Sequence, residues 1–251
     1  MRLVTLPTAA AVASAATDLL AATLVRRPDA AIILPAGRTP LLLYGEMLRR
    51  ARAGTLGLDR CRFFQLDEYV GCGPDDPRSF AALLRRELLE PLRRAPGRDA
   101  LIDGAASDPA GEIARHAQAL AAAGGAERAF LGIGRNGHVA FNEPGTRRRD
   151  GAREVALADE TRAGAAAEFA PAPPPTRGIT LGLAEIGAAR RLGLLATGAG
   201  KQAIVAALLT GDPTPERPAS LLLDHPDFTL FIDSAAAAGA GARPDRATPA
   251  V

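Results

Sequence analysis

Two short stretches of the chain hold the side chains whose types and spacing suit acid–base chemistry. Asp67 directly follows the apolar run RFFQL and opens DEYVG. A carboxylate at the end of such a strand sits at the mouth of a sheet, where partial burial raises its pKa toward values useful for proton transfer. Asn136, His138 and Glu143 lie together in LGIGRNGHVAFNEPG, residues 131–145. Glu143 can orient or charge the His138 imidazole and Asn136 can hold its tautomer, which makes a tuned acid–base group. A second pair of stretches suits an anion. PAGRTP, residues 35–40, is a small-residue turn running into a helix start, and its Ala36, Gly37, Arg38 and Thr39 offer backbone N–H groups and the helix dipole to a phosphate. TGAGK, residues 197–201, repeats that design and ends on Lys201, the sole lysine among 30 basic residues. A compact ammonium differs from a guanidinium in reach and hydration, so a single Lys in an Arg-rich chain asks for a chemical reason.

Gly132, Gly134 and Gly137 also satisfy G-x-G-x-x-G, the fingerprint of dinucleotide-binding loops. That motif needs a helix directly after it and an acid closing the next strand. Here His138 to Pro144 follows instead, and Pro144 cannot continue a helix. The nucleotide reading is set aside, and no cofactor and no metal is expected. His116, inside a helical pattern, and His225, before Pro226, read as structural; Cys61 and Cys72 read as reduced, partly buried thiols.

The elements that position these residues follow from hydrophobic periodicity. Apolar runs of strand length alternate with helical patterns, which predicts an α/β fold: one domain over residues 1–238, a doubly wound, mostly parallel sheet with helices on both faces. Strands are predicted at 30–35, 62–66, 128–133, 178–183, 191–196 and 228–232. Helices are predicted at 8–24, 40–53, 77–94, 108–123 and 201–209. Thr39-Pro40, Asp76-Pro77 and Ser107-Asp108-Pro109 read as helix openings. The polar, Arg-rich segment around 147–162 does not read as a buried strand. APAPPPT, 170–176, reads as a loop, and 239–251 as a disordered tail. In such a sheet, ligands bind beyond the carboxyl ends of the strands, where all four stretches fall.

Composition narrows the partners. Of 251 residues, 47% are hydrophobic and 23% charged, and the net charge is only +2 with 4% aromatics. No basic stripe marks a nucleic-acid surface. No apolar run approaches the ~20 residues that span a bilayer, and no signal-peptide pattern opens the chain, so a cytoplasmic location without membrane contact is expected.

These residues, in this order, resemble the glucosamine-6-phosphate deaminase family, within the larger group that includes 6-phosphogluconolactonases. The blocks that carry the resemblance are LPAGRTPLLLYGEML, FFQLDEYVGCGPDDPRSF, FLGIGRNGHVAFNEPG, RGITLG and the late segment beginning GAGKQAIVAALLTGD. The resemblance implies a Rossmann-like fold of the deaminase/ribose-5-phosphate isomerase kind and conversion of D-glucosamine 6-phosphate to D-fructose 6-phosphate and ammonia. It implies that His138, supported by Glu143, assists ring opening and that Asp67 moves a proton from C2 to C1. Two departures are visible. The family often has Asp where Asn136 stands. It usually has a phosphate-binding Arg at the position of Ala167, and Arg38, in a loop that is uncharged in many relatives, is the expected compensation. The segment Ala152 to Val155 poorly keeps the cations that serve an allosteric site in some relatives, so weak regulation and a monomer or small homo-oligomer are expected. The alternatives are a deaminase of another amino-sugar phosphate such as galactosamine 6-phosphate, a sugar-lactone hydrolase of the 6-phosphogluconolactonase type, and a non-catalytic sugar-phosphate sensor.

Overall fold

The computed structural model describes residues 1–37 and 40–238. Its frame is a six-stranded parallel sheet built from β1 (Arg2–Leu6), β2 (Ala31–Leu34), β3 (Arg62–Gln65), β5 (Arg128–Leu131), β8 (Leu192–Ala196) and β9 (Phe228–Asp233) in the order β1-β9-β8-β5-β2-β3. A separate antiparallel sheet is made of β4 (Asp67–Tyr69), β7 (Arg177–Thr180) and β6 (Arg153–Ala156), with β7 in the middle.

The central strands are mainly apolar because both of their faces are covered. In β2, Ala31 and Ile33 point into one core, and Ile32 and Leu34 into the other. The first core is closed by α4 (Pro109–Ala122), α6 (Leu183–Gly187) and α7 (Gln202–Thr210). The second is closed by α1 (Ala9–Arg26), α2 (Leu41–Arg52) and the segment holding α3 (Phe80–Leu84) and a π-helical turn, Arg85–Leu89. Fully burying one such Ile or Leu contributes about 1.5–3 kcal/mol, so this two-sided stripe anchors the sheet. The expected doubly wound architecture is therefore present.

Strand order places the ligand crevice. From β2 the chain steps outward to β3, then returns to lay β5 on the other side of β2. The crevice between the carboxyl ends of β2 and β5 is the topological switch point. Into it run the turn after β2, the loop after β5, and Asp67, where the chain leaves the main sheet.

Several expectations need correction. β1 was not predicted: it is an edge strand, half exposed, and its RLVTL pattern is too short and mixed to stand out. The expected strand at 178–183 is β7, which belongs to the small antiparallel sheet and ends at Thr180. The polar segment after 147 does contain a strand, the partly exposed β6, and a helix, α5 (Asp159–Phe169). The expected helix at 77–94 is shorter and starts later. Ser79, not Asp76, caps it by accepting from the Ala82 N–H at 2.9 Å, while Asp76 is taken up by Arg78. Asp108 does cap α4, through the Gly111 N–H at 2.9 Å. At α2, Pro40 occupies the cap position without a side-chain hydrogen bond, and Thr39 lies outside the described residues. Helix α1, 18 residues with mean hydropathy 1.3, is long and apolar enough by those criteria to cross a membrane, contrary to the sequence reading. Its buried residues recur every three or four positions, from Val12 through Ala16 and Leu20 to Leu24, and pack into the second core. The expected tail, 239–251, lies outside the described residues.

Candidate active site

Asp67 and Glu68 are adjacent, yet the fold gives them different work. β3 ends at Gln65, and after Leu66 the chain turns at Asp67 to pair with β7, Asp67 facing Thr180 in the ladder. Glu68 points inward and is fully buried. It accepts from Gln65 Nε2 at 3.0 Å and from the backbone N–H groups of Tyr69, Phe80 and Ala81 at 2.8–3.0 Å, so it closes the open N-terminus of α3. Burial pushes its carboxyl up to about 7, against the pull of these four donors. Gln65 is the hub beneath: it also donates to the Asp67 carbonyl at 2.8 Å and accepts from the Ile102 N–H at 3.0 Å.

Asp67 is 5% exposed, and among the described residues no group donates to its carboxylate. Burial raises its pKa well above the carboxylate range, and the charges of Glu68 and Glu143 add to the effect. The Asp67 charge in turn raises the phenol of the buried Tyr44, after burial itself. That phenol donates to the carbonyl of Pro35. Asp67 therefore stands between the turn after β2 and the loop after β5, inside the switch-point crevice.

The loop after β5 is wound tightly. Gly134 N–H donates to His138 O at 2.9 Å, and Gly137 N–H to Gly134 O at 3.1 Å. Gly137 adopts φ +87°, open to glycine and costly for other residues. Gly134 is needed for a different reason: a Cβ there would stand 2.3 Å from His138 Cε1, so the imidazole lies directly on the glycine backbone. Gly132 has neither constraint; a Cβ on it meets nothing within 4 Å. Two of the three motif glycines thus serve to seat a histidine, and the third is incidental.

His138 Nδ1 is held by Thr161 Oγ1 at 3.1 Å and by Glu143 Oε2 at 3.5 Å. Asn136 does not touch the imidazole, contrary to the tautomer role expected of it. Its Oδ1 accepts the His138 backbone N–H at 3.1 Å and its Nδ2 donates to Glu143 Oε2 at 3.0 Å, so it fixes the loop and the carboxylate instead. Ala158 N–H donates to the other Glu143 oxygen at 3.3 Å. Burial alone would raise the Glu143 pKa, but hydrogen bonds from His138, Thr161 and Asn136 together with the electrostatic pull of His138 bring it below the ordinary value. Glu143 is an anion in service to His138.

Thr161 carried no sequence signal as a site residue. It lies on α5, which closes over the loop, and the aromatics explain the closure: Tyr69 packs on Phe80, Phe141 and Phe169 with centroids 4.7–5.2 Å apart. These rings tie β4, α3, the His138 loop and α5 into one unit behind the site. Phe141 needs Gly178 beneath it, since a Cβ there would come within 2.5 Å of the ring.

On the far side of the loop, Lys201 Nζ donates to Ile133 O at 2.5 Å. Burial, then the charge of Arg135, lower its pKa, against the opposing charge of Glu160. Ala36 and Gly37 line the turn after β2 half-buried, Gly37 at φ +96°; Arg38 lies outside the described residues. Ala167 is on the exposed side of α5. His116 and His225 are structural, each bonding a main-chain carbonyl at 2.8 Å, of Gln65 and Ala189 respectively. Cys61 and Cys72 are buried and free.

The family described as glucosamine-6-phosphate isomerases/6-phosphogluconolactonase matches residues 7–230. The chain belongs to this family. Among its curated members, glucosamine-6-phosphate deaminases of Streptomyces avermitilis and Beutenbergia cavernae are 40% and 37% identical to it, over 94% of this chain and 92% of each relative. A solved structure of a monomeric glucosamine-6-phosphate deaminase superposes with a TM-score of 0.91 at 32% identity, covering 95% of this chain and all of that one. The 6-phosphogluconolactonase of Leishmania guyanensis shares the fold at TM-score 0.75 with 21% identity, over 96% of this chain and 99% of that one. Within the family, Asp67, whose carboxylate has no donor among the described residues, and His138 with its carboxylate partner Glu143 are the groups this chain brings to one crevice.

Proposed function

We propose that this chain is a glucosamine-6-phosphate deaminase, taking D-glucosamine 6-phosphate and water to D-fructose 6-phosphate and ammonia, in one catalytic domain over residues 1–238. The observation that carries the reading is Asp67: a nearly buried carboxylate with a raised pKa and no donor among the described residues, at the switch point beside a His–Glu pair. A base so placed suits proton abstraction next to a carbonyl. The relatives, glucosamine-6-phosphate deaminases by name, support the same reaction.

The roles follow from the geometry. With Nδ1 held by Thr161 and Glu143, His138 has Nε2 left to take the proton of the anomeric hydroxyl and pass one to the ring oxygen as the C1–O5 bond breaks, which gives the open-chain aldehyde. Asp67 takes the proton from C2 of the open-chain aldehyde, leaving an enolamine, and returns it to C1, which gives a C2 imine. Water adds to C2, and the C2–N bond breaks to release ammonia and the ketose. Ala36, Gly37, Arg38, Thr39 and Lys201 are proposed to hold the phosphate, and Asn136 and Glu143 to set His138. The reaction is a proton shuttle plus hydrolysis and asks for no redox step. The enzyme is proposed to act in the cytoplasm on a small phosphorylated amino sugar.

The test is a substrate panel. Purified protein is given glucosamine 6-phosphate, galactosamine 6-phosphate and 6-phosphogluconolactone, with ammonia and acid release followed separately. Ammonia from glucosamine 6-phosphate is the expected result; acid release from the lactone alone would overturn the reading, as would no turnover of any of the three.

A further inference from the structure

A second cation stands beside Lys201, with no counter-ion among the described residues. Arg135 is exposed, and among the described residues its guanidinium has no hydrogen bond and no ion pair. Several other arginines are engaged: Arg94 by Asp99, Arg153 by Asn142 and Thr146, Arg148 by Asp224. Arg135 Nη2 comes within 3.8 Å of where a Gly200 Cβ would be, so the guanidinium lies over the turn Ala199–Lys201 that leads into α7. Lys201 in turn bonds Ile133, two residues before Arg135 in the same loop. The two charges are close enough for Arg135 to lower the Lys201 pKa, and the one acid acting on Lys201, the exposed Glu160, pulls the other way. Like charges held side by side repel, by about 1 kcal/mol at 4 Å even in water, and an anion between them reverses the sign.

We propose that Arg135 and Lys201 together grip the substrate phosphate, Arg135 as the planar two-donor fork and Lys201 as the point charge. The inference rests on the sugar-phosphate reading above and adds a residue to it. Arg can meet two phosphate oxygens at once where Lys meets one. The placement also has a mechanical consequence. Arg135 and His138 are joined by the loop locked through Gly134 and Gly137, so a phosphate held at Arg135 fixes the distance from that phosphate to the imidazole. The grip and the ring-opening group are built on one rigid turn.

The experiment compares Arg135→Ala and Arg135→Lys with the wild type; Arg60→Ala, an exposed arginine far along the chain, controls for the loss of a surface charge. Steady-state kinetics on glucosamine 6-phosphate and inhibition by inorganic phosphate are measured, and phosphate is also titrated directly by calorimetry. Loss of a charge-assisted pair predicts a KM and a phosphate Ki raised about 10- to 100-fold in Arg135→Ala, with kcat falling far less, and partial recovery in Arg135→Lys. An unchanged KM and Ki in Arg135→Ala, or an equal rise in Arg60→Ala, would overturn the proposal. The calorimetric arm does not depend on turnover. If no substrate releases ammonia, the functional reading falls, and the phosphate affinity of Arg135→Ala still decides the grip: a loss upholds it and no change rejects it.

Discussion

Replacing Gly134 with Ala isolates how closely catalysis depends on the seat of His138. The new Cβ would stand 2.3 Å from Cε1, 2.4 Å from Nδ1 and 2.6 Å from Nε2 of the imidazole, where ordinary contact begins near 3.4 Å. The ring must retreat by the difference, about 1.1 Å, and its bonds from Nδ1 to Thr161 and Glu143 must stretch or break. A displacement of about 1 Å of a reacting group costs on the order of 100-fold in rate, or about 2.7 kcal/mol of barrier. Gly134 is not in the left-handed region, so Ala imposes no backbone strain, and the overpacking itself costs about 1–3 kcal/mol of stability. The assay is kcat/KM for ammonia release, paired with a thermal melt to confirm folding. Gly132→Ala is the control inside the same motif, because its Cβ meets nothing. The expected pattern is a folded Gly134→Ala protein slowed about 100-fold and a Gly132→Ala protein near wild type. Wild-type activity in Gly134→Ala, or equal damage from both changes, would refute the reasoning.

Two further outcomes follow from the charges. Asp67 must be ionised to act, so kcat/KM should rise with pH through its elevated pKa; Glu143 is one of the charges that raise it, and Glu143→Gln should lower the rate and also move the acid limb of the pH profile to lower pH. An unmoved limb would detach Glu143 from Asp67. His116 is buried with its pKa lowered to about 4, chiefly by desolvation, so the unfolded chain binds its proton more readily between about pH 4 and 6.5. Its contribution is therefore fully present above about pH 6.5 and is lost as pH falls toward 4, by about 3 kcal/mol. The difference between wild-type and His116→Gln denaturation curves across that range isolates this slope from other groups that titrate in both, and parallel curves would contradict it.

The chemistry was legible in the sequence where it sits in short contiguous stretches. Asp67 stands out because a carboxylate directly follows an apolar strand, and His138 because it interrupts a glycine motif that should have opened a helix. The central strands were legible because burial on both faces leaves an unbroken apolar run, as in β2. What the sequence hid depends on contacts across distance. Thr161 reaches His138 from 23 residues away, and a threonine in a polar helix reads as surface. The small antiparallel sheet was hidden because β7, buried on both sides, looks like one more parallel strand, and its partner β6 is too exposed to look like a strand at all. Asn136 was found but misassigned: its spacing from His138 suggested a bond to the ring, whereas the turn at Gly137 points it to the backbone and to Glu143.

The central claim is that Asp67 carries a proton between C2 and C1 of the sugar, and hydrogen-isotope tracing measures that directly. Glucosamine 6-phosphate is turned over in D2O by wild type and by Asp67→Asn, and the fructose 6-phosphate and remaining substrate are examined by NMR alongside ammonia release. The account predicts that wild type yields ammonia and product bearing solvent deuterium or transferred C2 proton at C1, and that Asp67→Asn binds the substrate yet neither exchanges C2 hydrogen nor releases ammonia. C2 exchange and ammonia release by Asp67→Asn at the wild-type rate would contradict it.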